Sequence, residues 1–333
     1  MGSLGRMLSE YISQRQGLRL VGAVDEDPSL IGRRLGELCR LPPNSSEAKI
    51  TVMGSLREVV AAVQVDAVLL ATTSKMELIA PQVMEAIARG VHTVSTCEEL
   101  VYPWRTAPGP ASMIDEAAHK RGVCVLATGV NPGFMMDTLP IALSAVCQRV
   151  DSVKVYRIQD ASIRRLPFRE KIGAGLAPAE FEARKKDGTL RHVGLTESMH
   201  MIASRMGWEL DRTEETLSPV IAERRIVTGT ATIAPGNAAG VQQIGRAFTG
   251  NVERITLTFR AAIGEPDPHD TVEIAGEPNL VSTIAGGVNG DVATCALALN
   301  AVLRVASTPP GLRTMTDIPP VSYFAAKRQE ASR

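Results

Sequence analysis

Short apolar segments alternate with amphipathic segments along the first part of the chain, and this alternation restricts the fold more than any other feature of the sequence. Apolar runs of strand length, bounded by turn residues, lie at 18–24, 48–52, 65–71, 91–94 and 123–126. Helical periodicity marks the segments 4–12, 56–63, 77–89 and 111–121. Repeated strand–helix units predict a parallel, doubly wound sheet with right-handed crossovers, an α/β fold of the Rossmann type. Ligands bind such sheets at the carboxyl ends of the strands.

The chain begins with a helical segment where a dinucleotide-binding unit would begin with a strand. In such a unit the first strand leads through a G-x-G-x-x-G turn into the first helix, and a carboxylate about 20 residues further on binds the ribose. Gly2 takes the place of the last glycine, which lets helix and strand pack closely, and Asp25 follows the next strand. We therefore expect cofactor contacts at Gly2, Ser3 and Asp25, and a first strand with two further glycines upstream of Met1. Alternatively, Gly2 belongs to an ordinary flexible N-terminus, and Asp25 is only a turn residue.

From about residue 151 the alternation ends and segments of period two replace it. They lie at 152–158, 225–233, 254–260 and 270–274, with helical segments near 178–185 and 197–206. This pattern predicts an α+β domain with a mostly antiparallel open sheet, whose free face would form the interface of a homodimer. The apolar helix expected at 291–303 must be buried, and we place it with the first domain. The predicted domains are a discontinuous dinucleotide-binding domain, residues 1–128 and 290–333, and a substrate-binding and dimerisation domain, residues 129–289.

Composition excludes several classes of function. The 36 Lys and Arg residues balance the 36 Asp and Glu residues, whereas nucleic-acid binding usually needs a basic excess. The sequence contains no apolar run of about 18 residues, as a membrane helix requires, and no signal-peptide pattern. Its five cysteines are scattered without a C-x-x-C pair, which favours the reducing cytoplasm over a disulfide framework or a zinc site. The five histidines show no metal-ligand spacing, so we expect no metal.

Five longer strings of the sequence match one known family. They lie at 95–104, 129–138, 164–176, 286–294 and 309–315. These strings resemble the 2,4-diaminopentanoate dehydrogenases and their relatives, the native amine dehydrogenases, which share the fold of dihydrodipicolinate reductase. The resemblance covers nearly the whole chain and fails only at the N-terminus, where the opening strand and its glycines are absent. It implies NAD(P)-dependent oxidative deamination of 2,4-diaminopentanoate or a similar small amine to a ketone and ammonia, or the reverse reductive amination, by a homodimer.

Two adjacent glutamates are the candidate catalytic residues. The amine must be neutral when hydride leaves its carbon, so the reaction requires a proton acceptor beside the nicotinamide. Glu98 and Glu99 lie in the loop after the 91–94 strand, and the resemblance implies that a glutamate of this stretch handles the amine and ammonia. The sequence does not decide between the two, and both could instead be surface or helix-capping carboxylates. The flanking acids are expected to raise the pKa of Cys97 and to keep it from acting as a nucleophile.

Further candidates lie in the loops that follow the strands and in a basic run. We expect cofactor contacts from polar and turn residues of these loops, namely Thr72, Thr73, Ser95, Thr96, Asn131 and Pro132. A helix expected near Phe134 would offer free N–H groups to a substrate carboxylate or to the nicotinamide amide, or would be a plain helix start. The basic run of Arg164, Arg165, Arg169 and Lys171 could receive a carboxylate or simply face solvent. The substrate candidates are thus Gly133, Phe134, Arg164, Arg169 and Asn289, with Asp291 expected to cap the last helix.

The carboxylates at residues 25–27 favour NAD, because they suit a ribose hydroxyl and repel a 2′-phosphate. Arg33 and Arg34 lie near enough in sequence to keep NADP open. The alternative enzyme is a reductase of the dihydrodipicolinate type, but its adjacent histidine pair with a nearby lysine is absent from this sequence. A degenerate nucleotide-binding protein is the third reading, favoured if Met1 is the true start of the chain.

Overall fold

The computed structural model describes residues 1–324 except residues 163, 165, 191 and 230 and the side chain of Pro167. The chain forms two compact units, Met1–Gly133 with Gly290–Arg333 and Phe134–Asn289. The first segment of the first unit thus ends at Gly133, whereas the expected boundary is residue 128. The chain returns from the second unit to the first between Asn289 and Gly290.

The first segment of the first unit alternates strands and helices in the predicted order. Its elements are α1 (Ser3–Ser13), β1 (Ala23–Val24), α2 (Leu35–Leu38), β2 (Val52–Met53), α3 (Leu56–Ala62), β3 (Ala67–Leu70), α4 (Met76–Ala88), β4 (His92–Ser95), α5 (Pro108–Arg121) and β5 (Cys124–Ala127). Short 3₁₀ turns lie at Glu47–Lys49 and Glu98–Leu100. Helix α5 ends as its sequence predicts, because Gly122 adopts the left-handed conformation that terminates helices.

The second unit is built around one large sheet. Its elements are α6 (Thr138–Leu143), β6 (Arg149–Asp160), α7 (Leu166–Lys171), α8 (Pro178–Lys186), α9 (Leu195–Met206), β7 (Arg212–Ile221), β8 (Ile226–Val227), β9 (Thr232–Ile233), β10 (Ala238–Thr249), β11 (Val252–Ala262), β12 (His269–Glu277) and β13 (Leu280–Ala285). The strand order is β13-β12-β6-β11-β10-β7. Every pair is antiparallel except β11 with β6, which is parallel.

The chain then returns to the first unit as α10 (Gly290–Val305) and β14 (Gly311–Arg313). Strand β14 extends a four-stranded parallel sheet of order β14-β5-β4-β3. Helices α4 and α5 pack together, as do α1 and α10, and α4, α5 and α10 contact the strands. The predicted fold class, a parallel α/β unit joined to an α+β unit with a mostly antiparallel sheet, is confirmed.

The parallel sheet is divided, although the sequence predicts a single one. Strands β1 and β2 pair with each other in a separate two-stranded parallel sheet. The apolar run 18–24 forms a strand only at Ala23 and Val24, because only these residues have partners, in Val52 and Met53. Within the described chain α1 is the first element, and β1 and β3 lie in different sheets.

The strand predicted at 225–233 is wrong, since this segment is a hairpin of two short strands. Strands β8 and β9 pair antiparallel, Ile226 with Ile233 and Val227 with Thr232. The Thr228 N–H donates to the Ala231 carbonyl at 2.9 Å and reverses the chain. A continuous period-two pattern does not reveal this turn.

In the large sheet, alternate residues face α9. A Cβ added at Gly245 of β10 would lie 3.3 Å from the sulfur of Met199 in α9, so the glycine lets the helix approach the strand. The other face carries half-buried side chains such as Tyr156, Ile244 and Thr256. No helix among the described residues combines the length and the apolar composition of a membrane span.

Candidate functional site

The turn after β4 holds both predicted glutamates, and their surroundings differ. Glu99 accepts a hydrogen bond at 2.6 Å from the backbone N–H of Met76, the first residue of α4. The Glu99 N–H itself donates to the carbonyl of Ser74 at 3.3 Å. Lys75, which precedes the helix, supplies no side-chain cap. Glu99 therefore caps α4 from a distant position in the sequence, which satisfies one of the free N–H groups of the helix start.

Glu98 has no such partner. Its side chain is half-buried, and within the described part of the chain its carboxylate takes part in no hydrogen bond or ion pair. Both oxygens are therefore available to a ligand or to water. The structure thus separates two residues that the sequence leaves equivalent.

Cys97, directly before the glutamates, is inert. Its side chain is fully buried, and burial raises the pKa of the thiol to about 12, with Glu98 and Glu99 adding to the shift. The thiol is therefore protonated at neutral pH, and only the thiolate is an effective nucleophile. The direction of this shift agrees with the prediction from the sequence.

The strands of the parallel sheet end side by side, which gathers several of the predicted cofactor residues. The Thr96 N–H donates to the Leu70 carbonyl at 2.9 Å, and the Ser95 hydroxyl donates to the same carbonyl at 3.3 Å. The Thr128 N–H donates to the Ser95 carbonyl at 2.8 Å. The loops after β3, β4 and β5 therefore meet at one edge, together with the turn that carries Glu98.

The two threonines after β3 are held by local contacts. The exposed Thr72 hydroxyl donates to the side-chain oxygen of Gln82 at 2.8 Å. The Thr73 hydroxyl accepts the backbone N–H of Lys75 at 3.2 Å, which turns the chain into α4. Both threonines thus shape the loop next to the Glu99 cap.

The loop after β5 folds tightly onto itself. The Asn131–Pro132 peptide is cis, and Gly133 has a φ of +119°. A Cβ at Gly133 would lie 2.5 Å from the backbone nitrogen of Gly129, so only glycine fits there. The Val130 N–H donates to the Thr294 hydroxyl of α10 at 3.2 Å. The candidates Asn131, Pro132 and Gly133 are all buried in this loop.

The helix predicted near Phe134 is wrong in position, because α6 begins at Thr138. Asp137 supplies the cap, accepting the Thr138 N–H at 2.5 Å and the Ser198 hydroxyl at 2.7 Å. The buried Asp137 thus fixes the start of the helix at Thr138. The half-buried Phe134 therefore lies in a turn and not at a helix N-terminus.

The start of α1 and the end of β1 lie together. The N-terminal ammonium of Met1 contacts the Asp25 carboxylate, and Asp25 also accepts the Asp27 N–H at 2.9 Å. Gly2 is the N-cap of α1 and Ser3 its first residue, with no side-chain cap. The close helix–strand packing expected at Gly2 is not present, because a Cβ there would meet nothing within 4 Å among the described residues.

The described residues of the basic run differ in their surroundings. The Arg164 guanidinium stacks on the Phe168 ring at 3.9 Å from its centroid. Arg169 is half-buried and Lys171 is exposed on α7, whereas Arg165 lies outside the described residues. Asn289 is exposed at the end of the second unit.

The second unit contains a buried ion pair that was not predicted from the sequence. Arg157 of β6 donates to the Asp270 carboxylate of β12 at 2.7 Å, and the two side chains are 2% and 1% exposed. Burial lowers the pKa of the Arg157 guanidinium, and the Asp270 carboxylate opposes that shift. The other Asp270 oxygen accepts the Val288 N–H at 2.7 Å, while Arg157 donates to the Val288 carbonyl at 3.0 Å.

The sequence does contain a signal for this pair. In the period-two pattern of β6, Arg157 stands in line with the buried Val153 and Val155. Asp270 likewise stands in line with the buried Val272 of β12. Two opposite charges on apolar strand faces are rare unless they pair. Among the described residues, no group of three or more His, Cys, Asp or Glu is placed to hold a metal ion.

Comparisons with known proteins point to one enzyme family. A family model described as the 2,4-diaminopentanoate dehydrogenase C-terminal domain matches residues 134–332, more than half of the chain. The chain is 29% identical to the 2,4-diaminopentanoate dehydrogenase of Acetoanaerobium sticklandii over 328 residues, which cover 96% of this chain and 91% of that protein. It is 24% identical to the amine dehydrogenase of Streptomyces virginiae, with 96% of this chain and 94% of that protein covered.

Among solved structures, an amine dehydrogenase from Mycobacterium smegmatis has the same fold, with a TM-score of 0.82 and 22% identity over 96% of this chain and 95% of that one. The fold and these relatives define an oxidoreductase of the dehydrogenase class. Within this class, the chain belongs to the 2,4-diaminopentanoate dehydrogenase family. The resemblance found in the sequence is thereby confirmed.

Proposed function

We propose that the protein is an NAD(P)-dependent amine dehydrogenase that converts 2,4-diaminopentanoate or a similar small amine into a ketone and ammonia, and aminates the ketone in reverse. The names and the extensive coverage of its relatives support this reaction. Within the chain, the proposal rests above all on Glu98, a half-buried carboxylate without a protein partner among the described residues, at the edge where the strands end.

NAD is the proposed cofactor, with NADP as the alternative. The uncapped N–H groups of α1 suit a pyrophosphate. The adjacent Asp25 is proposed to bind a ribose hydroxyl, which would share its carboxylate with the Met1 ammonium and the Asp27 N–H. Arg33 pairs with Glu37 at 3.2 Å, which reduces its availability for a 2′-phosphate. When bound, the nicotinamide accepts a hydride from the amine-bearing carbon. The residues proposed to hold the cofactor are Gly2, Ser3, Asp25, Thr72, Thr73, Ser95, Thr96, Asn131 and Pro132.

Glu98 is the proposed proton acceptor. It takes a proton from the substrate ammonium group, so that the amine is neutral when its carbon is oxidised, and releases this proton to solvent. It then takes a proton from the water that attacks the oxidised carbon and passes it to the nitrogen that leaves as ammonia. In the reverse direction the same carboxyl group returns these protons. Glu99 does not share this role, because its carboxylate caps α4 and holds the turn in place.

The remaining contacts complete the proposal. Gly133, Phe134 and Asn289 are proposed to line the substrate, and Arg164 and Arg169 to receive a substrate carboxylate. The sheet face that carries Tyr156, Ile244 and Thr256 is the proposed interface of a homodimer. A cytoplasmic location remains part of the proposal, in keeping with five free cysteines.

Paired glutamine variants test the assignment of the proton acceptor. Glu98→Gln removes the acceptor and is expected to lower kcat for amine oxidation by about 100-fold or more. Because Glu98 does not bind the cofactor in this proposal, the Kd for NADH, measured by fluorescence titration, should be unchanged. Glu99→Gln keeps an amide oxygen for the Met76 N–H and is the matched control, with most activity expected to remain. Full activity of Glu98→Gln, or loss in Glu99→Gln alone, would overturn the assignment.

A further inference from the structure

We propose that Arg157 and Asp270 form a positioning pair that fixes the Gly286–Asn289 loop and thereby orients Asn289 for the amine substrate. The inference rests on the proposed function, in which Asn289 contacts that substrate. Neither charged side chain would touch the substrate, since both are almost completely buried. The pair would act only through the backbone that it holds.

The pair originates in the register of the large sheet. Arg157 and Asp270 lie directly opposite each other on the antiparallel strands β6 and β12, so their side chains leave the same face of the sheet as close neighbours. The ion pair at 2.7 Å leaves one carboxylate oxygen and further guanidinium N–H groups for other partners.

These remaining groups bind both polar atoms of a single residue. Asp270 accepts the N–H of Val288 at 2.7 Å, and Arg157 donates to the carbonyl of Val288 at 3.0 Å. Charge-assisted hydrogen bonds are roughly twice as strong as neutral ones. Two of them from opposite charges fix the position and the orientation of the Val288 backbone. We call these two hydrogen bonds the Val288 anchor. Asn289 is the next residue in the chain, so the anchor also restricts its position.

The rest of the loop supports the same arrangement. Gly287 has a φ of +66°, and a Cβ there would lie 2.9 Å from the side-chain nitrogen of Gln159. Gln159 is buried beside Arg157, whose guanidinium lies 3.5 Å from its oxygen. The loop therefore rests directly on the polar groups of β6, and the positive φ at Gly287 favours glycine at this position.

Stability alone does not account for two buried charges at these positions. Bringing an ion pair out of water is costly, and apolar residues of similar volume are often as stabilising or more so. The neighbours in line along the strands, Val155 and Val272, show that apolar side chains fit this face. The pair supplies what apolar residues cannot, namely hydrogen bonds to both backbone groups of Val288.

An apolar replacement of the whole pair separates positioning from folding. The double variant Arg157→Met/Asp270→Leu avoids leaving a single buried charge, so its Tm is expected to stay near that of the wild type. The KM for the amine should rise about tenfold, the size expected for one misplaced hydrogen bond, while kcat and the Kd for NADH change little. Arg157→Lys, which keeps both charges of the pair but lacks the planar fork of N–H groups that also reaches the Val288 carbonyl, is the milder variant should the double variant not fold, and a smaller rise is expected.

A double-mutant cycle with Asn289→Ala gives the readout that a purely structural role would not produce. Asn289→Ala should raise KM in the wild type but add little in the Arg157→Met/Asp270→Leu background, because the contact is already lost there. If Arg157→Lys is used instead, the contact is weakened and the same result is expected. An unchanged KM in the paired variant, or full additivity with Asn289→Ala, would overturn the proposal.

Hydrogen exchange distinguishes failure of this inference from failure of the proposed function. If the wild type shows no amine-dependent activity, the proposed function fails, whereas the anchor is still tested by the exchange rate of residues 286–289. Faster exchange in the paired variant is expected, and an unchanged rate would show that the two charges do not hold the loop.

Discussion

Adjacent residues in one turn differ in what they touch, and that difference decides their chemistry. Glu99 has one oxygen occupied by the Met76 N–H at 2.6 Å, whereas Glu98 has no partner among the described residues. A helix cap contributes about 1 kcal/mol to stability, so the capping residue is tied to the fold. The neighbouring carboxylate can exchange protons without disturbing a helix.

Single residues also show the limit of sequence reasoning. The position of Glu98 and Glu99 after β4 follows from the strand pattern, because a strand end is visible in the sequence. The hydrogen-bond partner of Glu99 cannot be read from the sequence, because Met76 approaches Glu99 only when β3 and β4 pair. The Arg157–Asp270 ion pair was not predicted either, because the pairing of β6 with β12, which places the two charges opposite each other, is not visible in the sequence.

Cysteine reactivity tests the surroundings of the candidate site residue by residue. Burial raises the pKa of Cys97 and of Cys124 to about 12, so neither thiol ionises at pH 8. Cys147 is only half-buried, whereas the other four cysteines are buried. Iodoacetamide should therefore label Cys147 first in the native protein, as read by peptide mass spectrometry.

The denatured protein is the control for this labelling, because all five cysteines should then react. Rapid labelling of Cys97 in the native state would show that the turn before Glu98 is open or that its thiol is ionised. Either result would contradict the inert role assigned to Cys97.

The sequence predicts the helices and strands that have a clear hydrophobic periodicity. It does not predict those whose existence or bounds depend on pairing with a distant segment. Helices α1, α4 and α10 lie close to their predicted bounds, because the periodic apolar residues of a helix are a local signal. Strand β10 was missed since Gly240, Gln242 and Gly245 interrupt its apolar character, yet pairing on both sides with β7 and β11 makes it one of the longest strands described. The start of α6 depends on Asp137 and its contact with Ser198, which is not local.

The β4–β5 pair contains a histidine whose state links stability to pH. The Nδ1 atom of His92 accepts the Cys124 N–H at 3.0 Å, which requires the neutral ring. Burial lowers the pKa of His92 below its ordinary value of 6.5, although Asp66 opposes the shift. As the pH falls below 6.5, the unfolded chain therefore binds the proton first. The stabilisation is complete above that pH and is lost as the pH falls toward the folded-state pKa.

We expect the Tm of the wild type to fall more steeply between pH 7 and pH 5 than the Tm of His92→Gln. The glutamine oxygen can accept the same N–H but does not titrate, so the variant isolates the contribution of the imidazole. Thermal unfolding followed by circular dichroism at several pH values measures the difference. Parallel curves for the two proteins would contradict the role of His92.

At the scale of the whole molecule, the order of the elements and their assignment to the two units can be predicted from the sequence. Which strands join into one sheet cannot. The small-residue helix α10 belongs to the first unit although it follows the second in sequence, and its uninterrupted apolar pattern already required burial. The division of the parallel sheet into β1-β2 and the four-stranded sheet was not expected, because a strand pattern does not state which strand lies beside it.

The two units carry separate parts of the proposed chemistry. The first unit contains the strand ends, Glu98 and the proposed cofactor residues, and the second contains the anchored Gly286–Asn289 loop and the basic residues near α7. The equal numbers of basic and acidic residues, 36 each, agree with a small substrate better than with a polyanion.

The reductive amination assay tests the central claim most directly. Initial rates of NADH oxidation by the full chain are measured with a panel of small ketones, with and without ammonium. An amine dehydrogenase requires both ketone and ammonium, and we predict a rate that rises with each and a lower KM for NADH than for NADPH. Oxidation of NADH by ketone without ammonium, or no oxidation with any ketone and ammonium together, would contradict the account.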